Sequence, residues 1–147
     1  MRIAYLTVDE VNSDLAQRWG AEFQCEIVPL SPCDPLPNGE YDATIYDLDY
    51  LAPSVIHRVL TNLLTESLPS PAVVHSYNLR TRQANDLQAR GVFVRHRLER
   101  GILALLRREV RRLRNEKMWV QKVEIASTQS HLPESNVGST SWVSLQG

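Results

Sequence analysis

YDATIYDLDYLAP, Tyr41 to Pro53, decides how this chain is read. Ala43, Thr44, Ile45 and Tyr46 make a short, mostly apolar run of the kind that forms a buried strand. Asp47 stands where that strand should end, Asp49 follows two residues later, and Pro53 suits the first turn of a helix. In an open α/β sheet, ligands and chemistry gather at the carboxyl ends of the strands. Asp47 is therefore the first residue to consider for function.

Toward the N-terminus, Ile3 to Val8 (IAYLTV) has the near-continuous apolarity of a central parallel strand. Asn12 or Ser13 offers an N-cap, Leu15, Ala16 and Trp19 give a modest helical face, and Gly20 can end it. Cys25 to Leu30 is a second strand, with Pro29 marking it as an edge strand. Residues 31–42, SPCDPLPNGEYD, carry three prolines and an Asn-Gly pair, which disfavour a regular helix.

Toward the C-terminus, Val55, Ile56, Val59, Leu60, Leu63 and Leu64 repeat at three and four, a core-facing helical stripe that Pro69 and Pro71 stop. Ala72 to His75 is a fourth strand, followed by Ser76. Thr81 can cap a helix through Ala84, Leu87 and Gln88, with Gly91 at its end. Val92 to Val94 is a fifth strand. Arg100 to Lys117 is the longest predicted helix, with Ile102, Leu105, Leu106, Val110 and Leu113 on one side. Beyond Met118 the apolar period breaks. Residues 118–147 are expected to form a flexible tail, with WVQKVEI at 119–125 as a candidate added strand.

The composition is that of a globular domain: 43% hydrophobic, 22% charged and a net charge of −1. That balance hides an asymmetry. Residues 1–94 hold 6 Lys/Arg against 12 Asp/Glu, whereas residues 95–117 hold 9 against 3. Arg107, Arg108, Arg111, Arg112 and Arg114 cluster on the solvent side of the last helix. A solvated face pairing with the acidic body explains them most simply, and an acidic protein or a second copy could dock there. Nucleic acid is disfavoured, because no helix-turn-helix or winged-helix segment follows. No apolar run approaches membrane-spanning length, and no signal peptide is evident, so a cytoplasmic location without membrane contact is expected. Cys25 and Cys33 read as free thiols, and the four histidines show no metal-ligand spacing.

Alternating strands and helices imply an α/β fold, a doubly wound five-stranded parallel sheet of order 2-1-3-4-5. Its second helix should be short or missing. The domain should span residues 1–117, leaving 118–147 as the tail.

Across roughly residues 1–115 the pattern resembles the CheY-like receiver domain of bacterial response regulators, which has this flavodoxin-like fold. YDATIYDLDYLAP looks like the family's third strand, whose apolar run ends at the phosphoacceptor aspartate, and PAVVHSYN at 71–78 looks like its fourth. The resemblance implies Asp47 as phosphoacceptor, Ser76 as switch hydroxyl, Arg97 as the charge-reporting residue, and a Mg²⁺ site shared by Asp9 and Asp47. There are departures. Thr7 and Val8 stand where the family has its acidic pair, so Asp9 serves only if the first strand is longer. Tyr77 replaces a small residue, and Arg97-Leu98 replaces Lys-Pro.

A divergent receiver, or pseudo-receiver, is the resulting expectation. It would be a stand-alone, non-enzymatic signalling module acting through protein–protein contact, with a sensor kinase or downstream signalling protein as partner and a homodimer as one form. The alternative is a non-catalytic scaffold with the same fold and no phosphorylation. Two rivals are weaker. DLDYL has the D-x-D shape of haloacid-dehalogenase-type phosphatases, but the downstream carboxylates and lysine are wanting. The acidic TVDEVNSD lacks the Gly-rich loop that a nucleotide or flavin phosphate needs.

Overall fold

A computed structural model describes residues 1–33 and 40–136, with side chains described through residue 128. Five parallel strands form one sheet: β1 (Arg2–Leu6), β2 (Glu26–Leu30), β3 (Ala43–Asp47), β4 (Ala72–His75) and β5 (Phe93–Arg95), in the order β2-β1-β3-β4-β5. The helices are α1 (Glu10–Glu22), α2 (Pro53–Thr65), α3 (Thr81–Ala89) and α4 (Arg100–Asn136). The architecture and strand order match the sequence expectation. Among the described residues no helix lies between β2 and β3, as the proline-rich stretch predicts; residues 34–39 of that stretch fall outside the described set.

Strand alternation divides the core into two faces. Ile3 and Tyr5 of β1, Ala43 and Ile45 of β3 and Val73 of β4 pack with Ala16 of α1 and with Ile102, Leu103 and Leu106 of α4. Ala4 and Leu6, Tyr46, Ala72 and Val74 point the other way, against Val59, Leu60 and Leu63 of α2 and Leu87 of α3. Helices on both faces bury every residue of β3. Pro29 costs no ladder partner on its free side, because β2 is an edge strand.

Local chemistry sets the element ends. Asp9 caps α1: its Oδ1 accepts from the Val11 and Asn12 amides at 2.9 and 3.2 Å. The helix therefore starts before Asn12 and Ser13, the caps the sequence suggested. Pro53 occupies the first turn of α2. Gly91, at φ +84°, closes α3: its amide donates to Gln88 O, and that of Val92 to Leu87 O, both at 3.0 Å.

The largest departure from expectation is α4. It continues as one 37-residue helix through Asn136, so 119–125 is helical and not a strand. Loss of apolar period removes a single buried face but not helix propensity. Met118, Gln121, Lys122, Glu124 and Ala126 are good helix formers, and neither glycine nor proline stands between Met118 and Leu132. Residues 126–136, expected in the tail, belong to this helix; 137–147 lie outside the described residues. By its contacts the chain divides into two units, Met1–Val110 and a second beginning at Arg111.

Gly20 offers a test of packing against propensity. A Cβ there would lie 2.7 Å from the Cys25 carbonyl oxygen and 2.7 Å from Ile27 Cγ1, where α1 meets β2. Helix propensity favours alanine by ~1 kcal/mol, but the backbone clash should win, lowering stability by ~1–3 kcal/mol. Gly101, with nothing within 4 Å of its would-be Cβ, should tolerate alanine without loss. Urea denaturation of Gly20→Ala and Gly101→Ala checks the pair; equal midpoints would refute the close-approach argument.

Candidate functional site

The carboxyl edge of the sheet collects the polar residues. The β1–β3 pairing of Leu6 with Tyr46 brings Thr7 alongside Asp47, and the β3–β4 pairing sets Asp47 directly beside His75. Asp47 is fully enclosed, its side chain 0% exposed. Its Oδ2 accepts from Thr7 Oγ1 at 2.7 Å and from Asn12 Nδ2 at 3.3 Å. Its Oδ1 accepts the Asp49 amide at 3.0 Å and stands 3.8 Å from His75 Nδ1.

Asp49 organises a second cluster. Its Oδ1 accepts from Ser76 Oγ at 3.0 Å and from the Tyr77 amide at 3.1 Å. Ser76 Oγ in turn accepts the Asn78 amide at 3.1 Å. Tyr50 follows Asp49 with φ +65°, a left-handed turn uncommon for a bulky residue. It turns outward, and Tyr50, Tyr77, Val8 and Val11 are exposed apolar side chains on the loops and helix start that carry the site.

His75 is fully buried, and its two nitrogens differ. Nε2 lies 2.7 Å from the Tyr5 hydroxyl. Nδ1 is the one buried side-chain polar atom among the described residues without a hydrogen-bond partner. Burial, and next the Asp47 carboxylate, push the Tyr5 phenol far above its usual range, so it keeps its hydrogen. Burial alone pushes the Tyr46 phenol up to about 12. For His75, burial holds the imidazole below its ordinary value, against the opposing pull of Asp47, Asp49 and Asp9.

The residues singled out from sequence are distributed as follows. Asp47 and Ser76 both reach the site, but the Ser76 hydroxyl donates to Asp49, not toward Asp47. Asp9 holds the N-terminus of α1. Arg97 is 66% exposed on its side chain, with Nε 3.2 Å from Glu99 Oε1. The donor atoms that do converge, all within 4.8 Å of one another, belong to Asp47, Asp49 and His75, a group that could hold a metal ion. Mg²⁺, which the receiver resemblance implies, favours a near-octahedral shell of oxygens. A set with an imidazole as third donor suits an ion that accepts nitrogen better than Mg²⁺ does. Sequence reasoning missed the Tyr5–His75 pair and the side-chain work of Asp49, Thr7 and Asn12. The readable signal was strand register: His75 ends β4 as Asp47 ends β3.

No family model matches the sequence, and no curated protein matches it either. Among solved structures the chain is similar to a CheY-like protein, tadZ, from Pseudomonas aeruginosa PAO1, at 13% identity over 75% of this chain and 93% of that one, with a TM-score of 0.51. It is also similar to the receiver domain of the sensor histidine kinase PA1611 from the same organism, described with a magnesium ion coordinated in its active site cleft. That match has 13% identity over 74% of this chain and 96% of that one, with a TM-score of 0.49. The tadZ likeness, together with the strand order, establishes a CheY-like receiver fold.

The buried imidazole fixes the sign of one pH effect. Below about pH 6.5 the unfolded chain binds a proton at His75 that the native chain resists. Stability should therefore decline as pH falls from 7 toward 5, in buffer containing a chelator. His75→Gln should flatten that part of the urea-midpoint profile. An equally steep profile in the variant would assign the acid loss to other groups.

Proposed function

We propose that this chain is a receiver-fold interaction module that works without phosphorylation of Asp47. One observation carries the reading: the Asp47 side chain has no solvent exposure, and both its oxygens already accept hydrogen bonds. An aspartyl phosphate requires the carboxylate to meet an incoming phosphoryl group in line, with cations to neutralise the developing charge. Here the nearest donors, Thr7, Asn12 and the Asp49 amide, are neutral. Arg97 pairs with Glu99 at the surface. Ser76 is held by Asp49, which supports a fixed loop rather than a switch.

Contact with protein is the output this reading assigns. Met118, Trp119, Val120, Val123 and Ile125 of α4 are large apolar side chains left exposed, Trp119 by 67%. A long helix with few buried contacts is marginal in water unless another surface covers it. A second copy supplies the same residues in an isologous pairing, which makes a homodimer the simplest partner.

Incubation with acetyl phosphate and Mg²⁺, followed by intact mass measurement, tests the first part. The mass should not change, whereas a phosphoryl adduct that Asp47→Ala abolishes would restore the phosphorylated-receiver reading. Sedimentation equilibrium tests the second. Wild type should dimerise with rising concentration, and Trp119→Glu combined with Val123→Glu should remain monomeric. A wild type that stays monomeric throughout would remove the second copy as partner.

A further inference from the structure

We propose that Asp47, Asp49 and His75 form a binding site for a divalent transition ion of the Zn²⁺ class, with His75 Nδ1 as its nitrogen ligand. The site shares Asp47 with the reading above, but neither depends on the other.

Two observations meet here. The first is the convergence of three donor atoms within 4.8 Å of one another, contributed by two carboxylates and an imidazole, all from buried residues. The second is independent of it. His75 is wholly buried, yet Nδ1 makes no hydrogen bond and faces Asp47 Oδ1 at 3.8 Å. That separation is too long for a hydrogen bond, and it is close to what two ligands of one ion show. An ion ~2.1 Å from each donor would subtend an angle of roughly 130° there, and a closing of about 0.4 Å would bring it to the tetrahedral value.

The surroundings match what a ligating histidine needs. Metal-bound imidazoles commonly give their other N–H to an acceptor that fixes tautomer and ring orientation. The Tyr5 hydroxyl oxygen, 2.7 Å from Nε2, is placed to accept that hydrogen. With Nε2–H donated to Tyr5, Nδ1 presents a bare lone pair. Such a lone pair facing a carboxylate is unfavourable alone and becomes a ligand when a cation sits between them. The hydrogen bonds to Asp47 and Asp49 come from neutral groups. An ion would thus supply positive charge that these donors do not.

The donor set also selects the ion. Two carboxylate oxygens with one imidazole nitrogen, and a water completing four-coordination, suit Zn²⁺ and its first-row neighbours. Mg²⁺ and Ca²⁺ prefer shells made wholly of oxygen. The site is therefore chemically different from one that would assist phosphoryl transfer.

The test uses the full chain, stripped with a chelator and titrated with ZnCl₂ by calorimetry. Binding at one ion per chain is expected, at least tenfold tighter than for MgCl₂. His75→Gln and Asp49→Asn should each weaken it by a hundredfold or more. Tyr5→Phe should weaken it about tenfold through lost orientation. His57→Gln and His96→Gln, both at exposed positions, should bind as wild type does. Because His75→Gln could fail to fold, a second measurement stands on wild type alone. X-ray absorption at the zinc edge should show a first shell of one nitrogen from imidazole with oxygens. Absence of saturable binding to wild type, binding no tighter than that of Mg²⁺, a shell without imidazole, or full affinity in both His75→Gln and Asp49→Asn would each overturn the proposal. An acetyl phosphate adduct on Asp47 would count against the functional reading above and leave this result untouched.

Discussion

The enclosed carboxylate of Asp47 ties the carboxyl edge of the sheet together. Thr7 reaches it from the end of β1, Asn12 from the first turns of α1, and the Asp49 amide from the loop that follows β3. Two stretches distant in sequence, Thr7–Asn12 and Asp47–Asp49, are thereby fixed to one pair of oxygens. A buried carboxylate is costly to desolvate, and hydrogen bonds to it are worth more than those between neutral groups. The arrangement tolerates little change, because removing one donor leaves the charge less compensated. Asp49 repeats the device one loop further on, with Ser76 and the Tyr77 amide. Two aspartates two residues apart, as D-x-D, therefore anchor two different loops.

The fold was legible in the sequence because its determinants are local. Apolar runs in Ile3–Leu6, Ala43–Tyr46 and Ala72–Val74, the stripe through Val55 to Leu64, and prolines at 53, 69 and 71 all act within a few residues. Asp47 at a strand end followed from the same pattern. The site around it was not legible to the same degree, since it depends on register between strands. Nothing near Tyr5 in sequence announces that its hydroxyl meets His75, 70 positions away. In the sequence Asp9 stands out only as the metal ligand that the receiver resemblance implies, with Asn12 or Ser13 as the cap. Its short distances to the Val11 and Asn12 amides show it serving the helix. The α4 extension was missed because amphipathic period reports a buried face, whereas the helix there persists on propensity without one.

Charge distribution explains a further departure from the receiver pattern. The acidic body and the basic segment at 95–117 could in principle have met at the site, with an arginine from β5 compensating Asp47. Neither Arg95 nor Arg97 does so. Arg95 bonds its own chain at Val94 O, and Arg97 turns to Glu99. The interior carboxylates are left to neutral donors and an imidazole, while the basic residues of α4 lie at its surface. A guanidinium is larger than a compact ammonium and is held by planar, forked hydrogen bonds.

The same geometry gives the buried cluster a short route to the surface. Each residue that holds Asp47 or Asp49 adjoins an exposed apolar side chain: Thr7 precedes Val8, Asn12 follows Val11, Asp49 precedes Tyr50, and Ser76 precedes Tyr77. The carboxyl edge of the sheet is where one carboxylate can reach the end of β1, the start of α1 and the loop after β3 at once.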